Sequence, residues 1–316
     1  MKIVFMGTPS FGATILKEIL KKHEVVLVVT QPDKEVGRKR VIEFSAVKKV
    51  AIENNIDVFQ PFSIRKEYEH IINNYKFDLI VTAAYGQIVP MKLINFPKYK
   101  AINVHGSLLP KGRGGAPIQR SIMHGEKETG ISIMYMAASM DSGDILVQEK
   151  LDILDSDNCE TLFEKMALLG AKMINPLIDD LEKGNVNPIK QDESKVTYTY
   201  ALTKDDEILD FNKSNYLVNC QIRALSPNIG ATFYIDSKSY KVYEGFISNE
   251  TYSGEVGEIV SVEKKSFKVL CDNQKAIEFR MIKPEGKNLM NVSDFLNGNG
   301  RNILIKGKKV SSKKEN

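Results

Sequence analysis

Asn103 and His105 stand two residues apart in the run Asn103-Val104-His105-Gly106-Ser107-Leu108-Leu109-Pro110. Asp141 follows thirty-six residues after the histidine, in Ala138-Ser139-Met140-Asp141-Ser142-Gly143-Asp144. An amide, an imidazole and a carboxylate together suit acyl transfer without a metal. A neutral histidine takes a proton from an attacking amine or returns one to a departing nitrogen. An asparagine amide donates a hydrogen bond to the oxyanion that forms as a carbonyl becomes tetrahedral. An aspartate beside the imidazole orients it and stabilises its charged form. No serine or cysteine is placed as an obvious nucleophile, so direct attack by a substrate amine fits better than a covalent acyl-enzyme. Taken singly, each residue also has an ordinary explanation: His105 as a satisfied core side chain, Asn103 and Asp141 as turn formers. His23, His70 and His124 lack any such context and read as exposed or structural.

The elements that must position these groups are legible around them. Tyr99 to Val104 is a short apolar stretch halted by Gly106 and the Leu-Leu-Pro turn, and Ile131 to Tyr135 is a second apolar run. Between them, Ile118 and Ile122 have helical spacing, so the order is strand, glycine-rich loop, helix, strand. In a parallel sheet His105 then sits at a strand's carboxyl end, beside the loop Lys111-Gly112-Arg113-Gly114-Gly115-Ala116-Pro117.

The same periodicities predict strands near 2–6, 24–30, 78–83, 101–105, 131–136 and 144–149. Helices are expected near 11–22, 45–54, 65–75, 116–123 and 160–182. Alternation of this kind predicts an α/β fold with a doubly wound, mostly parallel sheet. Past Gly184 the pattern changes. Residues 190–208 read as a linker between a catalytic domain over 1–189 and a smaller domain over 209–316. That second domain has a helix over Ser214 to Leu225 and then short strand-like pieces that suggest a β-barrel.

Gly7-Thr8-Pro9-Ser10-Phe11-Gly12 invites comparison with a dinucleotide fingerprint, but Pro9 occupies the place of the middle glycine, where a side chain blocks approach of a pyrophosphate. A nicotinamide oxidoreductase is a poor fit, and Gly7 and Gly12 read as tight turn and helix packing. Cys159, Cys220 and Cys271 are too widely spaced for a metal site or a disulfide framework. No apolar run approaches a membrane span, and Met1-Lys2-Ile3-Val4 leads directly into a strand. The expectation is a cytoplasmic, metal-free protein without membrane contact, with a monomer as the default.

Charge is unevenly divided. Residues 209–316 hold 17 Lys and Arg against 12 Asp and Glu, whereas residues 1–208 hold 27 against 28. A basic second domain favours nucleic acid over a merely solvated surface, although the tail Lys306 to Lys314 also reads as a disordered basic end. A second cationic segment, Pro32-Asp33-Lys34-Glu35-Val36-Gly37-Arg38-Lys39-Arg40, emerges from the end of the second strand, on the same sheet edge as His105.

The signature Asn103-x-His105-Gly-Ser-Leu-Leu-Pro110 with Asp141 resembles that of the folate-dependent formyltransferases, in particular those acting on methionyl-tRNA. The resemblance extends to Val4-Phe5-Met6-Gly7-Thr8-Pro9, Thr30-Gln31-Pro32-Asp33, Ala84-Tyr85-Gly86, Gly114 to Arg120, Gln191-Asp192-Glu193 and Thr197-Tyr198, and covers nearly all 316 residues. It implies that 10-formyltetrahydrofolate gives its formyl group to the α-amine of methionine on initiator tRNA. Asn103 would polarise the formyl oxygen, His105 would handle the proton, and Asp141 would support the imidazole and the tetrahedral intermediate. Ser107, Leu108, Leu109 and Pro110 would line the folate site. Arg38, with Lys39 and Arg40, would engage the tRNA acceptor stem, and the second domain would be a tRNA-binding barrel of the OB type. Gly112 stands where the family often carries a tryptophan, and Lys39-Arg40 replaces an expected glycine. A sugar-nucleotide N-formyltransferase, a formyltetrahydrofolate hydrolase and a catalytically inactive tRNA-binding protein are the competing readings.

Overall fold

Seven strands form the sheet on which Asn103 and His105 lie. In chain order they are β1 (Lys2–Gly7), β2 (Glu24–Val29), β3 (Val58–Phe59), β4 (Leu79–Ala83), β5 (Ala101–His105), β6 (Glu128–Tyr135) and β7 (Ile145–Asp152). Their spatial order is β7-β6-β5-β4-β1-β2-β3. The five strands from β5 to β3 run parallel, and β6 and β7 add an antiparallel edge. The computed structural model describes residues 1–36 and 41–312. Within it the chain divides into two compact units: Met1–Pro117 with Glu128–Asp152 and Phe163–Thr199, and Ile118–Lys127 with Ile153–Leu162 and the chain from Tyr200 onward.

Burial explains the strand sequences. β1 and β4 lie inside the sheet with both faces covered, so they are apolar almost throughout. The edge strand β7 alternates instead, with exposed Gln148, Lys150 and Asp152. One face of the sheet packs Val4, Met6, Leu27, Val29 and Ile80 against Ile64, Ile71, Leu93 and Ile94 from short helical turns. The helix expected over 65–75 is two pieces, Ile64–Glu67 and Glu69–Asn74, because Ile71 N donates to Tyr68 O and breaks the four-residue ladder. The helix Ser10–Ile19 stops three residues earlier than its periodicity predicts.

Gly7 and Gly12 share one cause. A Cβ on either would come within 2.9 Å of the Ala83 carbonyl oxygen. Neither has a positive φ, so close packing of helix 10–19 over the end of β4 selects glycine there, and the tight turn expected at Gly7 does not contribute. Lys34–Val36 pairs antiparallel with Val41–Glu43. The base of this ribbon is tied down where Lys48 Nζ bonds Asp33 Oδ2 at 2.5 Å and Gln60 Oε1 at 2.7 Å.

In the second unit the strands are antiparallel and form two four-stranded sheets. One orders 231–235, 238–242, 281–284 and 290–291; the other orders 246–251, 275–279, 267–270 and 259–262. Phe233, Phe267 and Phe279 meet in the core with centroids 5.2–6.2 Å apart. Helix Asn215–Leu225 is capped by Ser214 and pinned by Asn215 Nδ2, which donates to the carbonyls of Ser248 and Ala276. Residues 309–311 of the basic tail are paired, where its charge also read as a disordered end. Lys309 pairs with Glu258 and Ser311 with Tyr234, so one segment bonds both sheets, with Val310 buried between. No helix among the described residues is long and apolar enough to cross a membrane.

Candidate active site

Asn103 and His105 are the third and last residues of β5, and alternation along a strand puts both side chains on one face. His105 is 7 % exposed. Its Nε2 lies 2.9 Å from the Gly112 carbonyl oxygen and its Nδ1 3.7 Å from Asp141 Oδ2. A carbonyl only accepts, so in this contact Nε2 is the nitrogen that carries a hydrogen.

Asp141 reaches the site from the turn after β6. Its backbone is left-handed, with φ 50°, and side chains from distant segments hold it there. Gly114 N donates to Asp141 Oδ2 at 2.8 Å. Gln191 Nε2 donates to the carbonyls of Asp141 and Gly143, each at 2.8 Å. Gln191 is itself oriented by Arg113 Nε, which donates to Gln191 Oε1 at 3.0 Å while its two terminal nitrogens grip Glu193. That grip holds the Glu193 carboxyl below the usual carboxylate range. Gln191 and Glu193, within the stretch expected as a linker, thus build the wall behind Asp141. Tyr198–Thr199 continues it by pairing with Arg113–Gly114.

The glycines of the 111–117 loop have two different reasons. Gly112 is buried at φ +72° with Ser107 Cβ 3.0 Å from the place of its missing Cβ; Gly114 has φ +107° and the Thr199 carbonyl 2.3 Å from that place. Both conformations disfavour ordinary side chains, so this loop is built around glycine, Gly112 standing where the resembled family often carries a tryptophan.

Ser107, Leu108, Leu109 and Pro110 continue directly from β5, ending in a cis Leu109-Pro110 bond. The Ser107 hydroxyl donates to Lys111 O, and the Ser107 carbonyl accepts from Ser132 Oγ. Leu109 is buried against Met134 and Ile145, its amide donating to Ser132 Oγ and its carbonyl accepting from Gln148. The hydroxyls of Ser107 and Ser132 are thus engaged with the loop itself. Asn103, His105 and Asp141 come together; Ser107 to Pro110 border them; Arg38, Lys39 and Arg40 lie outside the described residues.

Sequence reasoning missed Thr82, Ser132 and Gln148. Thr82 is the register partner of Asn103 on β4, 3 % exposed, and its Oγ1 lies 2.7 Å from Asn103 Oδ1. The signal was a hydroxyl in an otherwise apolar buried strand. Among the described residues no group of His, Cys, Asp or Glu is arranged to hold a metal ion.

The formyl transferase family profile matches residues 1–178, and the formyl transferase C-terminal domain profile matches residues 201–300. The methionyl-tRNA formyltransferase of Pediococcus pentosaceus is 42% identical over 305 residues, covering 95% of each chain. That of Streptococcus thermophilus is 42% identical over 308 residues, covering 96% of this chain and 97% of its own. Among solved structures, an N-formyltransferase from Helicobacter canadensis in complex with folinic acid and dTDP-3-aminofucose superposes with a TM-score of 0.66 at 19% identity. It covers 88% of this chain and 98% of its own, and shows the shared fold.

Proposed function

This chain belongs to the formyl transferase family, and we propose that it passes the formyl group of 10-formyltetrahydrofolate to the α-amine of methionine on initiator tRNA. The observation that carries the reading is the convergence of Asn103, His105 and Asp141 at the carboxyl end of β5, in a chain about two-fifths identical to methionyl-tRNA formyltransferases along nearly its whole length.

The amine nitrogen attacks the formyl carbon, and the carbonyl oxygen takes up negative charge. Asn103 Nδ2 donates to that oxygen. The proton lost by the amine passes to His105 Nδ1, the ring nitrogen not committed to Gly112, and Asp141 stabilises the charged ring. The bond from the formyl carbon to the folate nitrogen then breaks, and that nitrogen receives the proton. Formylmethionyl-tRNA and tetrahydrofolate are the products.

Ser107 to Pro110 would border the folate, held in shape by Ser132 and Gln148. Arg38, Lys39 and Arg40 would meet the acceptor stem. The division into a catalytic part over 1–189, a connecting segment over 190–208 and a tRNA-binding part over 209–316 belongs to the same proposal, as do a cytoplasmic location and a monomeric state. The test is formyl transfer by the purified protein to initiator methionyl-tRNA, elongator methionyl-tRNA and a 4-amino sugar nucleotide. Product on the initiator alone is expected. Product on the sugar alone overturns the tRNA assignment, and no product on any acceptor overturns the reaction.

A further inference from the structure

We propose that Thr82 is a positioning residue for the transfer: its hydroxyl fixes which end of the Asn103 amide faces the reacting carbonyl. This rests on the reading of Asn103 as the oxyanion donor.

The two ends of an asparagine amide are almost equal in size and opposite in polarity. With Nδ2 forward, the side chain donates to a developing oxyanion; rotated by half a turn, it presents a carbonyl oxygen to the same negative charge. Strand geometry alone does not choose between the two. Thr82 does, because it is directly across the parallel ladder from Asn103 and its Oγ1 lies 2.7 Å from Asn103 Oδ1.

A hydroxyl also accepts, so a rotated amide can donate Nδ2 to Thr82 Oγ1, and the choice rests on the hydroxyl's single hydrogen, which would then have to turn to another acceptor. The other acceptors near Thr82 Oγ1 are more distant, Ile102 O at 3.2 Å and Met136 Sδ at 3.6 Å, so the amide oxygen is the best placed. Thr82 is 3 % exposed, which keeps water from substituting for it. Its branched Cβ also restricts the side-chain rotamer, so the hydroxyl is set before substrate arrives. Every other side chain of β4 is apolar, so the hydroxyl is a polar exception at the position paired with the proposed oxyanion donor.

Thr82→Val keeps the shape of the side chain and removes only the hydroxyl. It should lower kcat about tenfold, the worth of one neutral hydrogen bond, with KM for folate and tRNA within about twofold of wild type. Thr82→Ser should recover most of the rate. Thr82→Ala gives the same prediction as valine without adding or branching a side chain, so the result does not hang on the folding of one variant, and thermal unfolding of each is followed in parallel. In the Asn103→Ala background, Thr82→Val should cost nothing further. Wild-type turnover by Thr82→Val and Thr82→Ala beside a crippled Asn103→Ala overturns the positioning role and leaves the Asn103 reading standing. So does a full additional loss in the double variant, which would show that Thr82 acts independently of Asn103. Wild-type turnover by Asn103→Ala overturns both.

Discussion

Nδ1 of His105 lies 3.7 Å from Oδ2 of Asp141, while Nε2 of the same ring is held by the Gly112 carbonyl. The separation exceeds a hydrogen bond but keeps the carboxylate close enough to stabilise charge arriving on the ring. The ring therefore has one fixed nitrogen and one available for proton transfer.

Asp141→Asn preserves the size of the side chain and still offers an oxygen to Gly114 N, but it removes the charge. Single-turnover formyl transfer should slow by about a hundredfold, with little change in thermal midpoint. An unchanged rate would show that the carboxylate has no part in handling the proton.

Gln191 holds Asp141 in its left-handed conformation through two carbonyls, at Asp141 and Gly143. Gln191→Leu removes both bonds and leaves Arg113 Nε, which donates to Gln191, without that acceptor. Stability should fall by about 2 kcal/mol and kcat by about tenfold, since a displaced catalytic group is costly even at small displacements. Urea unfolding and steady-state kinetics on the same preparation check both.

Arg38 belongs to the cationic segment between two paired strands whose base is fixed by Asp33, Lys48 and Gln60. Arg38→Glu should raise KM for initiator methionyl-tRNA and flatten the salt dependence of tRNA binding, because fewer counterions are released. Affinity for folate should stay the same. Equal losses for folate and tRNA would refute this division of labour.

The second unit carries its own pH dependence. Hydrogen bonds from Arg120 hold Asp206 down at about 2, against an ordinary value of 3.8, with Thr203 assisting. A carboxyl depressed in the folded state stabilises it above the ordinary value, and that stabilisation is lost as pH falls toward the depressed one. Asp206→Asn should therefore cost about 2 kcal/mol at neutral pH. The gap from wild type should close between about pH 4 and about pH 2, as followed by urea midpoints. A gap independent of pH would place the effect of Asp206 elsewhere.

The parallel sheet and the placing of His105 were readable because β1, β4 and β5 are apolar runs ended by turn residues, and parallel strands collect chemistry at one edge. What lay beyond the sequence was pairing across long separations. Nothing local to Gln191 or Arg113 reveals that they meet behind Asp141, about fifty and eighty residues away from partners in the chain. Thr82 belonged to a correctly expected strand, yet its role depends on register with Asn103, which periodicity does not supply. In the tail, composition alone read as a disordered basic end, whereas the backbone of 309–311 pairs with both sheets and Val310 is buried.

The most direct test of direct transfer through this site is a rapid-quench single turnover with a labelled formyl group on the folate, run with wild type and His105→Ala. The label should pass to methionyl-tRNA without appearing on the protein at any time, and His105→Ala should slow its passage at least about a hundredfold. Label accumulating on the protein before it reaches the tRNA, or wild-type transfer by His105→Ala, would contradict the account.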